Sequence, residues 1–366
     1  MRSEKFSVID FLVDAFLFVL FFCLVFIGDF SIDGFYFLPL VALISSVFFV
    51  LRYRKLYRGG GYWLVGYFFL VVFLGKAAFF EDSGYSVFIF GFLASVFCLP
   101  YFYDLIDRSS APFGVSLGGL VVLFFVAVFI SGEDLRFNFI FGPTILYRVV
   151  GFFWGVVLLS SISQRKGFYP WGALLCTFLA VYILFRTGSR GAILVLAVMF
   201  FSLYWVAGFK KKIIAALLLL PLLFSALHDF SFNEYRAFNF GGESTEVRIS
   251  KVSAVNDFLT TGNVFWGASD PSVYVGVYPH NIVVEFLVYY GIPAFVALLV
   301  LLVAFFGLVA VNRKMAVMML PFYPIVVGSI FSGSNMDNYF VIAVLIYSGW
   351  GLFCLVGGKA FFRELN

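Results

Sequence analysis

The sequence predicts an all-helical, polytopic membrane protein of about twelve transmembrane helices in a single membrane domain, residues 1–366. Three observations predict it. Of the 366 residues, 63% are hydrophobic and only 12% charged, whereas soluble domains carry roughly a quarter charged residues. The apolar residues fall into successive runs of about the 20 residues that one helix needs to cross the hydrocarbon layer. The basic residues gather on alternate connections between those runs, as the positive-inside rule requires. A soluble enzyme, a disordered chain, a collagen and a disulfide-stapled secreted domain are excluded on composition.

Met1 to Lys5 is a short basic start, but the apolar run behind it contains Asp10 and Asp14 and lacks a small-residue cleavage site. A retained first span is expected. The runs cover approximately 9–28, 35–51, 61–80, 85–103, 113–131, 145–162, 170–186, 190–208, 212–227, 282–311, 315–332 and 339–357. Helices are the default spanning form because each satisfies its own backbone hydrogen bonds in lipid, and the runs lack the ten-residue alternation of barrel strands. Aromatic residues reach 22%, which suits lipid-facing bulk and interfacial belts. The four cysteines, Cys23, Cys98, Cys176 and Cys354, each lie in an apolar run with no close pair, so packing is their expected role.

With the N-terminus cytoplasmic, the inner connections hold Arg2 and Lys5, then Arg52, Arg54, Lys55 and Arg58, then Arg108, Arg165 and Lys166. Lys210 to Lys212, Arg313, Lys314, Lys359 and Arg363 complete sixteen of the 24 basic residues on that side. Both termini are therefore expected in the cytoplasm. The formal charge of +4 is too small and dispersed for a nucleic-acid partner. One outer connection, 228–281, is long enough to fold as a small unit outside the bilayer, and function is sought there first.

Eight basic residues break the charge rule: Lys76, Arg136, Arg148, Arg186, Arg190, Arg236, Arg248 and Lys251. Arg186 and Arg190 straddle the sharp turn in Phe185-Arg186-Thr187-Gly188-Ser189-Arg190-Gly191-Ala192, while Arg236, Arg248 and Lys251 belong to the large loop. An outer arginine needs local compensation, and a phosphate-bearing ligand at headgroup depth supplies it, since the guanidinium fork fits phosphate oxygens. Snorkelling, or pairing with Glu81, Asp82, Glu133 and Glu243, is the plainer alternative. Arg190 stands out because it opens a span beside Ser189 and Gly191, where free N–H groups and the helix dipole also attract anions.

The two histidines, His228 and His280, both fall on the outer side. His280 lies in Tyr278-Pro279-His280-Asn281-Ile282-Val283-Val284-Glu285, where a polar loop enters a helix. An accessible imidazole is a candidate general base. Asn281 is the expected N-cap, and Glu285, one turn on, needs a partner and can orient His280 or contact Arg190 or Arg248. The alternative is a capping His-Asn pair with a water-exposed ring.

Ser189-Arg190-Gly191-Ala192, a long outer loop with Arg248, Trp266-Gly267, His280-Asn281 with Glu285, and Tyr290-Gly291-Ile292-Pro293 together resemble the O-antigen polymerase and ligase superfamily (Wzy- and WaaL-type proteins). The resemblance covers about 180–312, and one departure is Ser269, where the family often has a second glycine. It implies a metal-independent glycosyltransferase with a helical fold of the C type, working on the periplasmic face of the bacterial inner membrane. The implied donor is an undecaprenyl-pyrophosphate-linked glycan, and the acceptor is another glycan or lipid A-core. Membrane lipid and a chain-length regulator are further expected partners. Arg190 and Arg248 then look like the family's pyrophosphate-binding arginines and His280 like its essential histidine, with Glu285 in support. Arg186, Ser189, Arg236, Lys251, Asn281 and Tyr278 are the expected substrate-binding residues. Tyr274, Tyr278, Trp266 and Phe265 are placed to stack on sugars, though packing is the commoner role of aromatics in so Phe-rich a chain. The sequence has no DxD pattern, so no metal or cofactor is expected. The lean is to a polymerase over a ligase. A flippase or other transporter is the rival class, and it would concentrate polar groups at the midplane, not in one outer loop.

Overall fold

Apolar runs that lack water to satisfy their backbone must fold as helices in lipid, and the computed structural model is helical throughout its longer elements. It describes residues 8–26, 31–32, 35–53, 70, 74, 83–129, 143–164, 169–187, 189–206, 255–260, 263–268, 272–275, 281–331 and 339–356. The chain opens with α1 (Val8–Phe26) and α2 (Leu38–Tyr53). Between them a small antiparallel hairpin pairs β1 (Ser31–Ile32) with β2 (Phe35–Tyr36), Ser31 opposite Tyr36. Then follow α3 (Ser83–Arg108), α4 (Ala111–Phe129), α5 (Pro143–Gln164), α6 (Tyr169–Arg186) and α7 (Arg190–Val206). A single turn, α8 (Ser272–Val275), precedes the long α9 (Ile282–Val311), and α10 (Arg313–Met318), α11 (Tyr323–Phe331) and α12 (Tyr339–Val356) complete the described elements.

Among the described residues six helices are long and apolar enough to cross a membrane: α1, α4, α6, α9 and the Ile89–Arg108 and Ile145–Ser163 stretches of α3 and α5. Leu38–Phe49, Gly191–Tyr204 and Tyr339–Gly351 are shorter apolar helical stretches. The architecture is that of a polytopic membrane protein. The expected runs at 61–80 and 212–227 lie outside the described residues.

The run at 315–332 is not one helix. Pro321 has no N–H to give the Val317 carbonyl, which instead accepts from Leu320 N at 3.2 Å. The Ala316 carbonyl loses that donor and takes the Tyr323 hydroxyl at 3.0 Å. Phe322 N donates to the Met319 carbonyl at 2.9 Å, closing a tight turn between α10 and α11. Reading the run by hydropathy alone passes over its two prolines, Pro321 and Pro324.

The chain forms two units, the first comprising Met1–Phe18, Tyr103–Glu246 and Arg313–Gly328. At its centre is α5, whose spanning window is 83% buried, against 28% for α4 and 39% for α6, so α5 is the packed axis and its neighbours face outward. Glycines allow the close approach that membrane helices use in place of a hydrophobic drive. A Cβ at Gly119 would meet the Phe153 ring at 2.8 Å, and one at Gly172 would meet Phe113 at 2.4 Å. The indole N–H of fully buried Trp154 donates to Thr177 Oγ1 at 3.0 Å, tying α5 to α6.

The second unit comprises Val19–Phe102, Val247–Asn312 and Ser329–Asn366. Its core is aromatic: Phe21 stacks on Phe102 at 4.2 Å and meets Phe340 edge-on at 5.6 Å. The Tyr339 hydroxyl donates to the Leu24 carbonyl. α9 and α12 run side by side, with Leu301 against Gly349.

Gly155 gives a direct stability test. A Cβ there would lie 2.4 Å from the Leu320 carbonyl oxygen, a backbone atom that cannot step aside, whereas Gly118 has nothing within 4 Å. Gly155→Ala is expected to destabilise by about 1–3 kcal/mol, while Gly118→Ala is neutral or stabilises by up to about 1 kcal/mol. Thermal midpoints in detergent check both.

Candidate functional site

The largest departure from regular helix is in α9. Gly291 takes φ +78° and ψ −177°, and Pro293 follows two residues later. A continuous helix would bond Ile292 N to the Val288 carbonyl, and the break frees both groups in an apolar setting. Residues 264–268 take them up: Ile292 N donates to the Val264 carbonyl at 2.9 Å, and Ala268 N donates to the Val288 carbonyl at 2.7 Å. One intrahelical bond is exchanged for two that clamp residues 264–268 onto the span.

Both motif glycines are needed for that clamp. Gly267 is also left-handed, with φ +84°, and a Cβ on it would sit 2.4 Å from the Tyr289 carbonyl oxygen. A Cβ on Gly291 would sit 2.1 Å from the Phe265 carbonyl oxygen. Trp266-Gly267 and Tyr290-Gly291-Ile292-Pro293 are thus two sides of one backbone contact. Asn263 shapes the turn, accepting from Gly267 N at 2.8 Å on its carbonyl and from Trp266 N at 3.3 Å on its side chain. Beneath it Phe258, Ala268 and Val288 form a small buried core with Tyr274 and Leu287 packed on it.

The break also divides α9 by length. The twenty residues 292–311 span about 30 Å, enough to cross the hydrocarbon alone. Residues 282–290 form a separate nine-residue segment ahead of that stretch. Asn281 caps this segment as expected, accepting from Val283 N at 2.9 Å and Val284 N at 3.3 Å. Glu285 lies in its first turn and is 1% exposed. A carboxylate so buried is stable only beside a cation or donor.

In the first unit the α6–α7 turn is held by Thr187. Its hydroxyl donates to the Leu184 carbonyl at 2.7 Å and accepts from Ser189 N at 3.4 Å. The Ser189 carbonyl then accepts the first α7 bonds, from Ala192 N at 3.0 Å and Ile193 N at 3.3 Å. Arg186 ends α6 and Arg190 begins α7. Arg186, half-buried, ends α6, where the dipole favours a cation. Arg190 is the first residue of α7, an end whose free N–H groups favour an anion.

Packed on that first turn is α5. A Cβ at Gly191 would lie 2.6 Å from Tyr147 Cζ, so only glycine admits the ring. The Tyr147 hydroxyl donates to the Gly328 carbonyl at 3.4 Å. The next residue, Arg148, is 4% exposed, and a Cβ on Gly328 would lie 2.7 Å from its Nε.

Of the expected site residues, Arg186, Ser189 and Arg190 belong to the first unit, and Asn281 and Glu285 to the second. Arg236, Arg248, Lys251, Tyr278 and His280 lie outside the described residues, as does Ser269. Tyr274 packs edge-on against Phe258 at 5.3 Å, a structural role. Phe265 and Trp266 remain 55% and 67% exposed on the clamped loop. Thr187, Asn263 and Tyr147 were not singled out from the sequence, and Arg148 was counted among the outer cations without a role; its position inside an apolar run is the signal that marks it. No family model, curated protein or solved structure matches the chain.

Gly291→Ala is expected to release the loop, since a left-handed alanine is strained and its Cβ overlaps the Phe265 carbonyl. The loss should be at least about 2 kcal/mol. It reads as a lower thermal midpoint and faster protease cleavage within 263–281, and unchanged cleavage would contradict the clamp.

Proposed function

We propose that the protein is a glycosyltransferase polymerising undecaprenyl-pyrophosphate-linked repeat units of O-antigen, or a similar surface polysaccharide, on the periplasmic face of the bacterial inner membrane. The observation that carries this reading is the break at Gly291. It divides α9 into a nine-residue segment holding Glu285, with a loop clamped beside it, and an apolar twenty-residue stretch long enough to cross a membrane. That suits chemistry at the lipid boundary on a lipid-linked sugar better than a midplane transport site. The N-terminal end of α7 at Arg190 supports it as well, because its free N–H groups favour an anion of the pyrophosphate class.

The reaction is one displacement at the anomeric carbon. The acceptor hydroxyl gives its proton to His280 as its oxygen forms the new bond to the anomeric carbon, and the bond from that carbon to the pyrophosphate oxygen breaks. Arg190 and Arg248 hold the departing undecaprenyl pyrophosphate and offset the charge that develops on it. Arg236, Lys251, Arg186, Ser189, Asn281 and Tyr278 line the substrate path, and Glu285 fixes the geometry. A direct displacement inverts the anomeric configuration.

Deleting the gene and resolving surface lipopolysaccharide on a gel tests the class of reaction. Core carrying a single repeat unit is the expected product. Bare core with lipid-linked polymer accumulating would instead indicate a ligase, and an unchanged ladder would remove the proposal.

Restoring the deletion with His280→Ala, Arg190→Ala or Arg248→Ala tests the roles. Each should lower polymer by at least about 100-fold at normal protein level. Long chains from His280→Ala would exclude it as the base, and a retained anomeric configuration would exclude the single displacement.

A further inference from the structure

Arg148 has the least favourable surroundings of any cation among the described residues. It sits five residues after Pro143, about 7 Å along α5 from the end assigned to the outer face. It is 4% exposed, and neither Nε nor Nη2 has a hydrogen-bond partner. Those two atoms form one edge of the guanidinium plane, with parallel N–H bonds spaced to grip two oxygens of one tetrahedral or planar anion. A buried cation with that edge unanswered destabilises the fold that contains it. The surroundings nonetheless preserve it: Gly328 lacks the side chain that would strike Nε and Cγ, and the preceding Tyr147 packs on the first turn of α7.

We propose that Arg148 is a phosphate-binding residue, its Nε–Nη2 edge taking two oxygens of one phosphate of a lipid-linked pyrophosphate. This rests on the glycosyl-transfer reading above. The Cγ part of the stem stays over Gly328 while the guanidinium, Nε included, turns toward the N-terminal end of α5, a movement open to a long cationic side chain. Tyr147 and Gly328 are positioning residues for the stem. The headgroup phosphate of a phospholipid offers the same oxygens, so the test separates the two sources.

Purified full-length protein in detergent is titrated with undecaprenyl pyrophosphate and, separately, with phosphatidylglycerol, and lipid uptake is read by native mass spectrometry. Arg148→Gln is expected to weaken undecaprenyl pyrophosphate by about 10- to 100-fold and leave phosphatidylglycerol unchanged. Arg148→Lys, a point charge without the fork, should recover only part of the affinity. Arg148→Met should raise the thermal midpoint without ligand and abolish most of the rise produced by undecaprenyl pyrophosphate. A merely structural arginine would do the reverse, so a lowered midpoint for Arg148→Met, or unchanged affinities for Arg148→Gln, overturns the proposal. Equal weakening of both lipids assigns the edge to membrane headgroups and overturns the donor assignment. If the unaltered protein ignores undecaprenyl pyrophosphate while Arg148→Gln loses phosphatidylglycerol, the glycosyl-transfer reading fails and the phosphate site stands.

Discussion

A backbone N–H or carbonyl that loses its helical partner inside a membrane has no water to turn to, and this constraint organises the second unit. Pro293 and Gly291 interrupt α9, and the groups they free are taken up by Val264 and Ala268. The break and the loop are therefore one feature. Without the loop, the break would leave buried polar groups orphaned; without the break, the loop would have no groups on the span to bind. Left-handed glycines at 267 and 291 are the steric condition for both.

The same constraint applied to charge accounts for the cations. Arg186 is explained by the helix it terminates, because a C-terminal end welcomes positive charge. Arg148 is not explained by the fold alone. It is buried with the Nε–Nη2 edge of its fork unanswered. Sites that must bind a multiply charged phosphate tolerate this arrangement, since the ligand compensates what the protein leaves uncompensated. Stability held below its maximum at such residues is a common feature of functional sites.

Much of the fold was legible in the sequence. The crossing helices α1, α4, α6 and α9 follow from length and hydropathy, and the Asn281 cap follows from a polar residue entering an apolar run. What was not legible depends on contacts distant in sequence. Hydropathy averages across Pro321 and Pro324, so the division of α10 from α11 escaped it. The pairing of Trp266-Gly267 with Tyr290-Gly291 joins residues about two dozen positions apart, and each motif alone reads as an ordinary turn or kink. Arg148 was visible as a charge against the bias, but its burial and missing acceptors are properties of the folded state. Arg248 and His280 lie outside the described residues.

The exchange of backbone bonds at the α9 break is the claim on which the position of the loop, and with it the proposed site, depends. Amide hydrogen exchange of the protein in lipid nanodiscs tests it most directly, on peptides that isolate Ile292 and Ala268. Both amides are expected to exchange as slowly as those of the regular 294–311 helix. Exchange at Ala268 as fast as an open loop, with Ile292 still protected, would mean that the span closes on itself and the loop stands free.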